Sequence, residues 1–261
     1  MNTTAEHRRF YAEFIVKSAG SSDARLIEAF AAVPREDYVG RGPWPVFIGS
    51  GYLPTISDDP SLLYQDTLIG LATDRRINNG QPTLHARCLA AAAPAAGETV
   101  VHVGAGTGYY TAVLAALVGP SGRVVGLERE IDLAERAASN LKHLANVEVL
   151  AESATEASIP PCDVIYVNAG ATHPPSAWLD ALSVGGRLVF PLTPSGLGVR
   201  ENLFVWMLAV PLIGVEHTAA LSLSLLCTAG SLSWSLVGGV VYAGFKTRHH
   251  LDEIARDQAA D

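Results

Sequence analysis

Three glycines at alternate positions, Gly104, Gly106 and Gly108, separate an apolar run from a helical pattern. The run at 99–103 predicts a strand and the residues after Gly108 predict a helix, so the glycines form the tight turn between the two. Glycine lets the backbone of such a turn come close to a ligand, because it has no Cβ and tolerates positive φ. The N–H groups at the helix start also lack partners within the helix, so the turn is a candidate ligand-binding site.

The spacing of these glycines excludes two common nucleotide-binding loops. It is G-x-G-x-G, whereas the dinucleotide fingerprint requires a glycine at position 109, which is Tyr, and no loop ending in G-K-[ST] follows. An acid closes the next predicted strand: Glu128 lies 20 residues beyond Gly108, where a carboxylate can accept hydrogen bonds from a ribose diol. Turn and acid together indicate a site for S-adenosylmethionine (SAM) in a Rossmann-like fold. Alternatively, Glu128 is only the first polar residue after a strand, and Glu130 or Asp132 takes this role.

Composition fits an enzyme with a sizeable core. The chain has 261 residues, of which 49% are hydrophobic, and its 18 Lys and Arg against 26 Asp and Glu give a net charge of −8. This negative charge disfavours a broad basic surface that binds the phosphate backbone of a nucleic acid, so nucleic acid is not expected as a partner. The three cysteines are far apart, which favours buried thiols in a reducing compartment over a disulfide or metal framework. The polar N-terminus has no apolar signal core, and we expect a cytoplasmic protein.

Strand and helix patterns alternate from residue 98 onward. Strands are predicted at 99–103, 123–127, 147–150, 163–167 and 187–191, with helices between them. This alternation favours a parallel sheet that is covered on both faces. Ligands of such sheets bind at the carboxyl ends of the strands, where Gly104, Glu128, Ser153 and Asn168 fall.

The residues before this alternation have a different character. Helical periodicity runs from about Ala5 to Phe30. The Pro- and Gly-rich segment at 40–60 is predicted to be irregular, and a helix is predicted at 81–93. We divide the chain into three parts: a cap at 1–97 that forms part of the substrate site, a SAM-binding α/β core at 98–250, and a polar tail at 251–261.

A stretch without Lys, Arg, Asp or Glu runs from 218 to 245. Its length would suffice for a transmembrane helix. However, the segments 221–225 and 231–236 alternate with period two around a plausible hairpin turn at 228–230, as half-buried strands do. We therefore expect a final antiparallel strand pair, and membrane association is not expected.

Four patches of the sequence resemble the protein-L-isoaspartate O-methyltransferase family, and the resemblance extends from about residue 30 to 191. They are V-P-R-E-D-Y-V at 33–39, Y-Q-D at 64–66, Q-P-T-L-H-A at 81–86, and C-D-V-I-Y-V-N-A-G-A at 162–171 with G-G-R-L-V-F-P at 185–191. The resemblance implies a Rossmann-like SAM-dependent methyltransferase fold of the α/β class. Its central, mostly parallel sheet would have helices on both faces and an antiparallel C-terminal strand pair.

Three positions depart from the family pattern. Gly80 stands where the family has a Ser whose hydroxyl lies beside the methyl-accepting carboxylate. His102 replaces an acid two residues before the first glycine of the turn, and Ser153 replaces an acid next to the adenine. His102 is either a core residue or lies under the amino-acid end of the cofactor. A side chain added at position 80 would clash if that residue has positive φ.

Residues and resemblance together predict the site. The catalytic set is Asn79, Gly80, Gln81 and Asn168. The cofactor-binding set is His102, Gly104, Ala105, Gly106, Gly108, Glu128, Arg129, Ser153, Ala154 and Asn168, with no metal. Donors that could replace the missing hydroxyl are Asn78, Asn79, Gln81, Thr83 and His85. Alternatively, His85 packs against the sheet, and the two asparagines serve the turn that N-N-G favours.

The function implied by the resemblance is transfer of a methyl group from SAM to a carboxylate, such as that of an isoaspartyl residue in a peptide. Two alternatives remain. The acceptor could be a different carboxylate, such as a peptide natural product or another small molecule. The protein could also bind SAM without catalysis and use the altered 77–85 loop to contact a partner. The sequence does not indicate an oligomeric state.

Overall fold

Nine strands and six helices make up the computed structural model, which describes residues 3–169 and 174–190. The helices are α1 (Thr4–Ser18), α2 (Ala24–Ala32), α3 (Pro82–Ala92), α4 (Tyr109–Val118), α5 (Ile131–Leu141) and α6 (Ser176–Ala181). The strands are β1 (Pro45–Phe47), β2 (Tyr52–Pro54), β3 (Gly70–Ala72), β4 (Ile77–Asn78), β5 (Thr99–Val103), β6 (Arg123–Leu127), β7 (Val147–Leu150), β8 (Cys162–Val167) and β9 (Leu182–Val189). These elements belong to a compact unit that spans Met1–Pro191.

A five-stranded parallel sheet in the order β7-β6-β5-β8-β9 forms the centre of this unit. β5 lies in the middle, and its last residue, Val103, pairs with Leu127 of β6 and with Val167 of β8. Because these three strands end in register, the residues that follow them meet at one edge of the sheet. The predicted α/β class with a parallel sheet is confirmed, and this register brings Gly104, Glu128 and Asn168 together.

Two hydrophobic clusters cover the two faces of the sheet. Val100 and Val124 face a large cluster that α1 to α5 form together, whereas Val101 and Val125 face a smaller one around Trp178 of α6. Side chains alternate along a strand, so neighbouring valines serve opposite faces. The first cluster joins the N-terminal helices to the sheet in one core, which continues across the predicted boundary at residue 97.

Local signals explain where the N-terminal helices begin and end. The predicted helical stretch from Ala5 to Phe30 consists of two helices, because Gly20, with φ +81°, interrupts it. Thr3 caps α1 in a capping box with Glu6, and the Asp23 carboxylate accepts from the N–H of Arg25 at 2.9 Å to begin α2.

Two predictions about elements are wrong. The segment 40–60 is not wholly irregular, since β1 and β2 pair in a short antiparallel hairpin there. No helix lies between β7 and β8; the connection holds a turn, followed by Pro160 and Pro161 directly before β8. Its residues Ala154, Ala157 and Ile159 instead pack on the Trp178 cluster.

Several predictions fall outside the described residues: the antiparallel pair within 218–245, the polar tail at 251–261, and Cys227. The two cysteines within the described ranges, Cys88 and Cys162, are buried free thiols, as expected. No helix in these ranges is both long and apolar enough to cross a membrane.

Arg35, from the V-P-R patch, fixes the segment that precedes β3. Its guanidinium is fully buried and donates to the carbonyls of Leu63 at 2.5 Å, Gln65 at 3.0 Å and Thr67 at 3.4 Å. It also lies 5.4 Å from the centre of the Tyr11 ring. A side chain from near the N-terminus therefore supplies the hydrogen bonds that this irregular segment cannot make within a sheet.

We expect Arg35→Met to destabilise the fold. Methionine keeps much of the volume but leaves the buried carbonyl of Leu63 without its donor, which costs roughly 1–3 kcal/mol, and also removes the donors of two part-buried carbonyls. Urea denaturation should show a free energy of unfolding lower by at least about 2 kcal/mol. The control is Arg41→Met, because Arg41 is exposed and has no ion pair within the described part of the chain. Equal effects of the two variants would show that the buried contacts of Arg35 do not stabilise the fold.

Candidate active site

A cavity of about 590 Å³ opens at the carboxyl ends of β5, β6 and β8. This volume lies within the range of roughly 300–1,000 Å³ that is typical of small-ligand sites. Of the predicted site residues, ten line it: Asn79, Gly80, Gly104, Ala105, Gly106, Glu128, Arg129, Ser153, Ala154 and Asn168. The structure therefore brings most of the two predicted sets to one place.

The glycine turn forms the wall of this cavity next to β5. Gly104, Gly106 and Gly108 have φ values of +78°, +56° and +97°, a region that favours glycine. A Cβ on Gly104 would lie 2.7 Å from the carbonyl oxygen of Asn168, and one on Gly108 would lie 2.7 Å from Leu141. The turn needs glycine both for its conformation and for its close approach to the neighbouring strand and helix.

Glu128 joins this turn to the start of α5. Its side chain is 8% exposed; one carboxylate oxygen accepts from the N–H of Gly106 at 2.7 Å and the other from the N–H of Glu130 at 2.9 Å. A carboxylate has about four lone-pair sites, so two remain for a ligand. Glu128 can thus accept from two hydroxyl groups in the cavity while it fixes the turn.

The alternative acids are engaged elsewhere. Arg75 donates to Glu130 at 2.8 Å and to both carboxylate oxygens of Asp132, at 2.9 and 2.6 Å. These ion pairs hold the β3–β4 hairpin against the start of α5. Leu71 of this hairpin lies above the turn, 3.3 Å from where a Cβ on Gly106 would be. Among the three acids, the geometry favours Glu128 as the ligand for a diol.

The segment 78–80 also lines the cavity. The side-chain oxygen of Asn78 accepts from the N–H of Gly80 at 2.9 Å, which is the turn chemistry expected for N-N-G. Asn79 is 5% exposed, and its side-chain oxygen accepts from the N–H of Ile69 at 2.9 Å. Gly80 has φ +77°, so an added side chain would be strained, as the sequence suggested.

Three residues of the predicted sets do not line the cavity. Gly108 lies in the turn but faces Leu141, and the exposed Gln81 donates to Asp66 at 3.2 Å. His102 is fully buried, because its position on β5 directs it, like Val100, toward the face of the sheet that α1 to α5 cover. Direct contact of His102 with a cofactor is therefore not supported.

His102 is a satisfied core residue on one side of its ring. Its Nδ1 lies 2.8 Å from the hydroxyl of Thr111, while its Nε2 is buried without a partner in the described residues. Burial lowers the pKa of His102 to about 3, so the imidazole is neutral. At the position where the resemblance implies an acid, the side chain is therefore uncharged.

Other residues of the cavity lining were not predicted. They are Leu71, Arg76, Ile77, Tyr109, Tyr110, Glu152, Thr155 and Trp178, among others. Trp178 lies on α6, far along the sequence from the glycine turn, so no local pattern assigned it to the site. Its indole N–H donates to the carbonyl of Ala154 at 2.8 Å. Tyr109 and Tyr110 directly follow the turn, so their position next to Gly108 was an available signal.

The Y-Q-D patch has a role that sequence reasoning missed. Asp66 accepts from the backbone N–H of Thr83 at 2.8 Å and from the side chain of Gln81 at 3.2 Å. It therefore supplies an N-terminal cap to α3 from a position 17 residues away in the sequence. This contact fixes the direction in which the chain leaves Gly80 and enters the helix.

Comparison with known proteins identifies the family. The model of the protein-L-isoaspartate(D-aspartate) O-methyltransferase family matches residues 13–203. A protein-L-isoaspartate O-methyltransferase from Aeropyrum pernix is 34% identical over 231 residues, which cover 81% of each chain. One from Ignicoccus hospitalis is 40% identical over 173 residues, or 59% of this chain and 80% of its own. The chain belongs to this family.

Solved structures agree with the assignment. A protein-L-isoaspartate O-methyltransferase with 29% identity aligns with a TM-score of 0.57 over 69% of this chain and 54% of its own. A beta-aspartate methyltransferase from Plasmodium falciparum in complex with S-adenosyl-L-homocysteine aligns with a TM-score of 0.55 over 69% of this chain and 82% of its own. At 21% identity the second similarity shows the fold alone. As a family member, the chain is a SAM-dependent O-methyltransferase.

The residues present fit SAM. The glycines of the turn leave its backbone open to a ligand, and the buried Glu128, which accepts two backbone N–H groups, keeps lone pairs that could accept from ribose hydroxyls. Ser153 and Ala154 line the side where the resemblance places the adenine. Their lack of charge suits an uncharged base.

A prediction about the turn follows from the close approach of Gly104 to Asn168. We expect Gly104→Ala to abolish SAM binding in calorimetry, because the methyl group would displace backbone at the end of β8. Gly97→Ala is the matched control, since Gly97 has φ +85° but a Cβ there would meet only Ser121 Oγ at 3.7 Å. The Gly104 variant should be less stable than the control by at least about 1 kcal/mol. Similar stability and SAM affinity of the two variants would contradict this role of the turn.

Proposed function

We propose that this protein transfers the methyl group of SAM to the free carboxylate of an isoaspartyl residue in a peptide or protein. One observation carries the proposal: the glycine turn, Glu128 and the segment 78–80 all line a single cavity. The turn and Glu128 can hold a cofactor, and the segment 78–80 an acceptor. The names of the relatives supply the acceptor class.

In this proposal Glu128 accepts from the ribose hydroxyls, and the backbone of the turn contacts the methionine half of the cofactor. Ser153, Ala154 and Arg129 border the adenine side. When bound, SAM supplies an electrophilic sulfonium methyl group. The hairpin residue Leu71 covers the turn and removes water from this end of the cavity, which strengthens polar contacts within it.

The acceptor requires positioning more than proton transfer. A carboxylate is already an anion near pH 7, so no general base is needed to activate it. The two buried histidines nearest the site, His85 and His102, both have a pKa lowered to about 3 by burial and stay neutral. The protein then contributes by aligning the reacting groups and excluding water. These two effects can lower the activation free energy by several kcal/mol.

A different carboxylate acceptor is the second candidate, and Gly80 is the observation that favours it. A serine at this position would have strained φ and would overlap the ring of His85, so the acceptor side has been rebuilt around glycine. A rebuilt site can retain the isoaspartyl substrate or select another carboxylate.

The deciding experiment uses the whole chain, radiolabelled SAM and two peptides of one sequence that differ only in an isoaspartyl or an ordinary aspartyl residue. We expect methylation of the isoaspartyl peptide alone. SAM binding without methylation of either peptide would overturn the isoaspartyl proposal and favour the second candidate. Location in the cytoplasm stays a prediction, which cell fractionation can test.

We expect Glu128→Ala to weaken SAM binding by at least about tenfold, because hydrogen bonds to a charged group are worth roughly 1.5–3 kcal/mol each. Glu130→Ala is the control: Glu130 also lines the cavity, but its carboxylate is paired with Arg75. It should change the dissociation constant much less. Calorimetry with thermal unfolding of both variants separates binding from stability. The opposite order of the two effects would show that Glu130 is the ribose ligand.

A further inference from the structure

Negative groups outnumber positive ones along the cavity. Its acids are Glu128, Glu130 and Glu152, and its cations are Arg76 and Arg129. A carboxylate that enters such a cavity gives up part of its hydration and meets like charges, so its binding requires a cation nearby. Both ligands of the proposed function carry a carboxylate, since one is the methyl acceptor and the other is the methionine half of SAM.

The two arginines of the lining differ in what they already contact. Arg129 is 77% exposed, and its Nε and Nη2 both donate to Glu130 at 3.4 Å. Arg76 is also exposed, but its side chain has no hydrogen bond or ion pair to any other described residue. A guanidinium has five N–H donors and no acceptor. In the described part of the chain, the guanidinium of Arg76 is therefore the cavity cation that is still available to a ligand.

The backbone at Arg76 is fixed beside the cavity. Its N–H donates to the carbonyl of Thr73 at 3.2 Å, and β4 begins at the next residue. The preceding residue, Arg75, forms the ion pairs that attach the β3–β4 hairpin to the start of α5. None of these contacts uses the guanidinium of Arg76. The chain thus fixes the point from which this side chain extends and leaves its charged end unbound.

The backbone conformation of Arg76 suits glycine better than arginine. Its φ is +59° and its ψ is +29°, in the left-handed region, and Ala93 is the other non-glycine residue with positive φ in the described ranges. Glycine would adopt this conformation at no steric cost. Since the side chain makes no polar contact within the described fold, the fold does not account for an arginine here. A ligand of opposite charge would account for it.

We propose that Arg76 is a carboxylate-binding residue of the cavity, whose guanidinium pairs with a carboxylate of a bound ligand. The inference rests on the proposed function, because it concerns the ligands of the same cavity. The planar guanidinium can donate two parallel N–H bonds to one carboxylate. Its partner is either the methyl-accepting carboxylate or the carboxylate of the methionine half of the cofactor. In both cases Arg76 positions a ligand and exchanges no proton, because the group stays charged.

The test uses Arg76→Gly in the full chain, with Arg87→Gln as the control. Arg87 is exposed and does not line the cavity, so the control removes the same charge elsewhere. Calorimetry measures three ligands: S-adenosylhomocysteine, 5′-methylthioadenosine, which lacks the amino-acid carboxylate, and the isoaspartyl peptide added to the complex with S-adenosylhomocysteine. The control should change none of the three dissociation constants by more than about twofold.

The pattern of losses identifies the carboxylate. If Arg76 binds the acceptor, the dissociation constant of the isoaspartyl peptide should rise at least about tenfold in Arg76→Gly while that of S-adenosylhomocysteine stays within about twofold. If Arg76 binds the cofactor, the constant of S-adenosylhomocysteine should rise at least about tenfold and that of 5′-methylthioadenosine should not. Changes below about twofold for all three ligands would overturn the inference.

Stability separates ligand binding from a structural role. Because glycine suits the backbone at this position, the unfolding temperature of ligand-free Arg76→Gly should equal or exceed that of the wild type. A lower unfolding temperature with equal losses for S-adenosylhomocysteine and 5′-methylthioadenosine would show a structural role and overturn the inference.

Failure of the proposed function can be recognised separately. If the wild-type protein binds SAM but does not methylate the isoaspartyl peptide, the proposed function fails. The two cofactor analogues then decide the inference alone, and an unchanged affinity of Arg76→Gly for S-adenosylhomocysteine overturns it.

Discussion

The pair of hydrogen bonds that Glu128 accepts is the constraint on which the site depends. One carboxylate oxygen holds the N–H of Gly106 in the turn, and the other holds the N–H of Glu130 where α5 begins. Because Glu128 directly follows β6, the position of the sheet edge determines the shape of the turn and the start of the helix together. The same carboxylate lines the cavity, so in the proposed function one group serves both local stability and ligand binding.

Long-range contacts attach the N-terminal residues to this edge. Arg75 pairs with both Glu130 and Asp132, which places Leu71 over the turn, and Asp66 caps α3 beyond Gly80. Each contact is made by a charged side chain at a point where the backbone is irregular. The cavity is therefore lined in part by segments that do not belong to the parallel sheet, and its shape depends on their attachment.

Periodic sequence features predicted the fold, and non-local packing limited what could be predicted of the site. The strands from 99 to 167 follow from apolar runs, and Glu128 follows from its place after one of them. His102 was ambiguous because its sequence position does not reveal which face of β5 it occupies. Trp178 and Arg76 reach the cavity through tertiary structure that no local pattern records. The helix expected before β8 is absent, and Ala154, Ala157 and Ile159 of that connection pack on the Trp178 cluster instead, a tertiary contact that periodicity does not reveal.

Gly80 and His85 illustrate why a departure from a family pattern must be interpreted together with its neighbours in space. From the sequence alone, Gly80 indicates only that the serine hydroxyl of the family pattern is absent. In the structure, the imidazole of His85 fills that place and is fixed there by Tyr110 and Tyr166, which come from α4 and β8. The space that a side chain at position 80 would need is thus already filled by a residue of α3. The imidazole and a side chain at position 80 exclude one another, so the shape of the site cannot be inferred from position 80 alone.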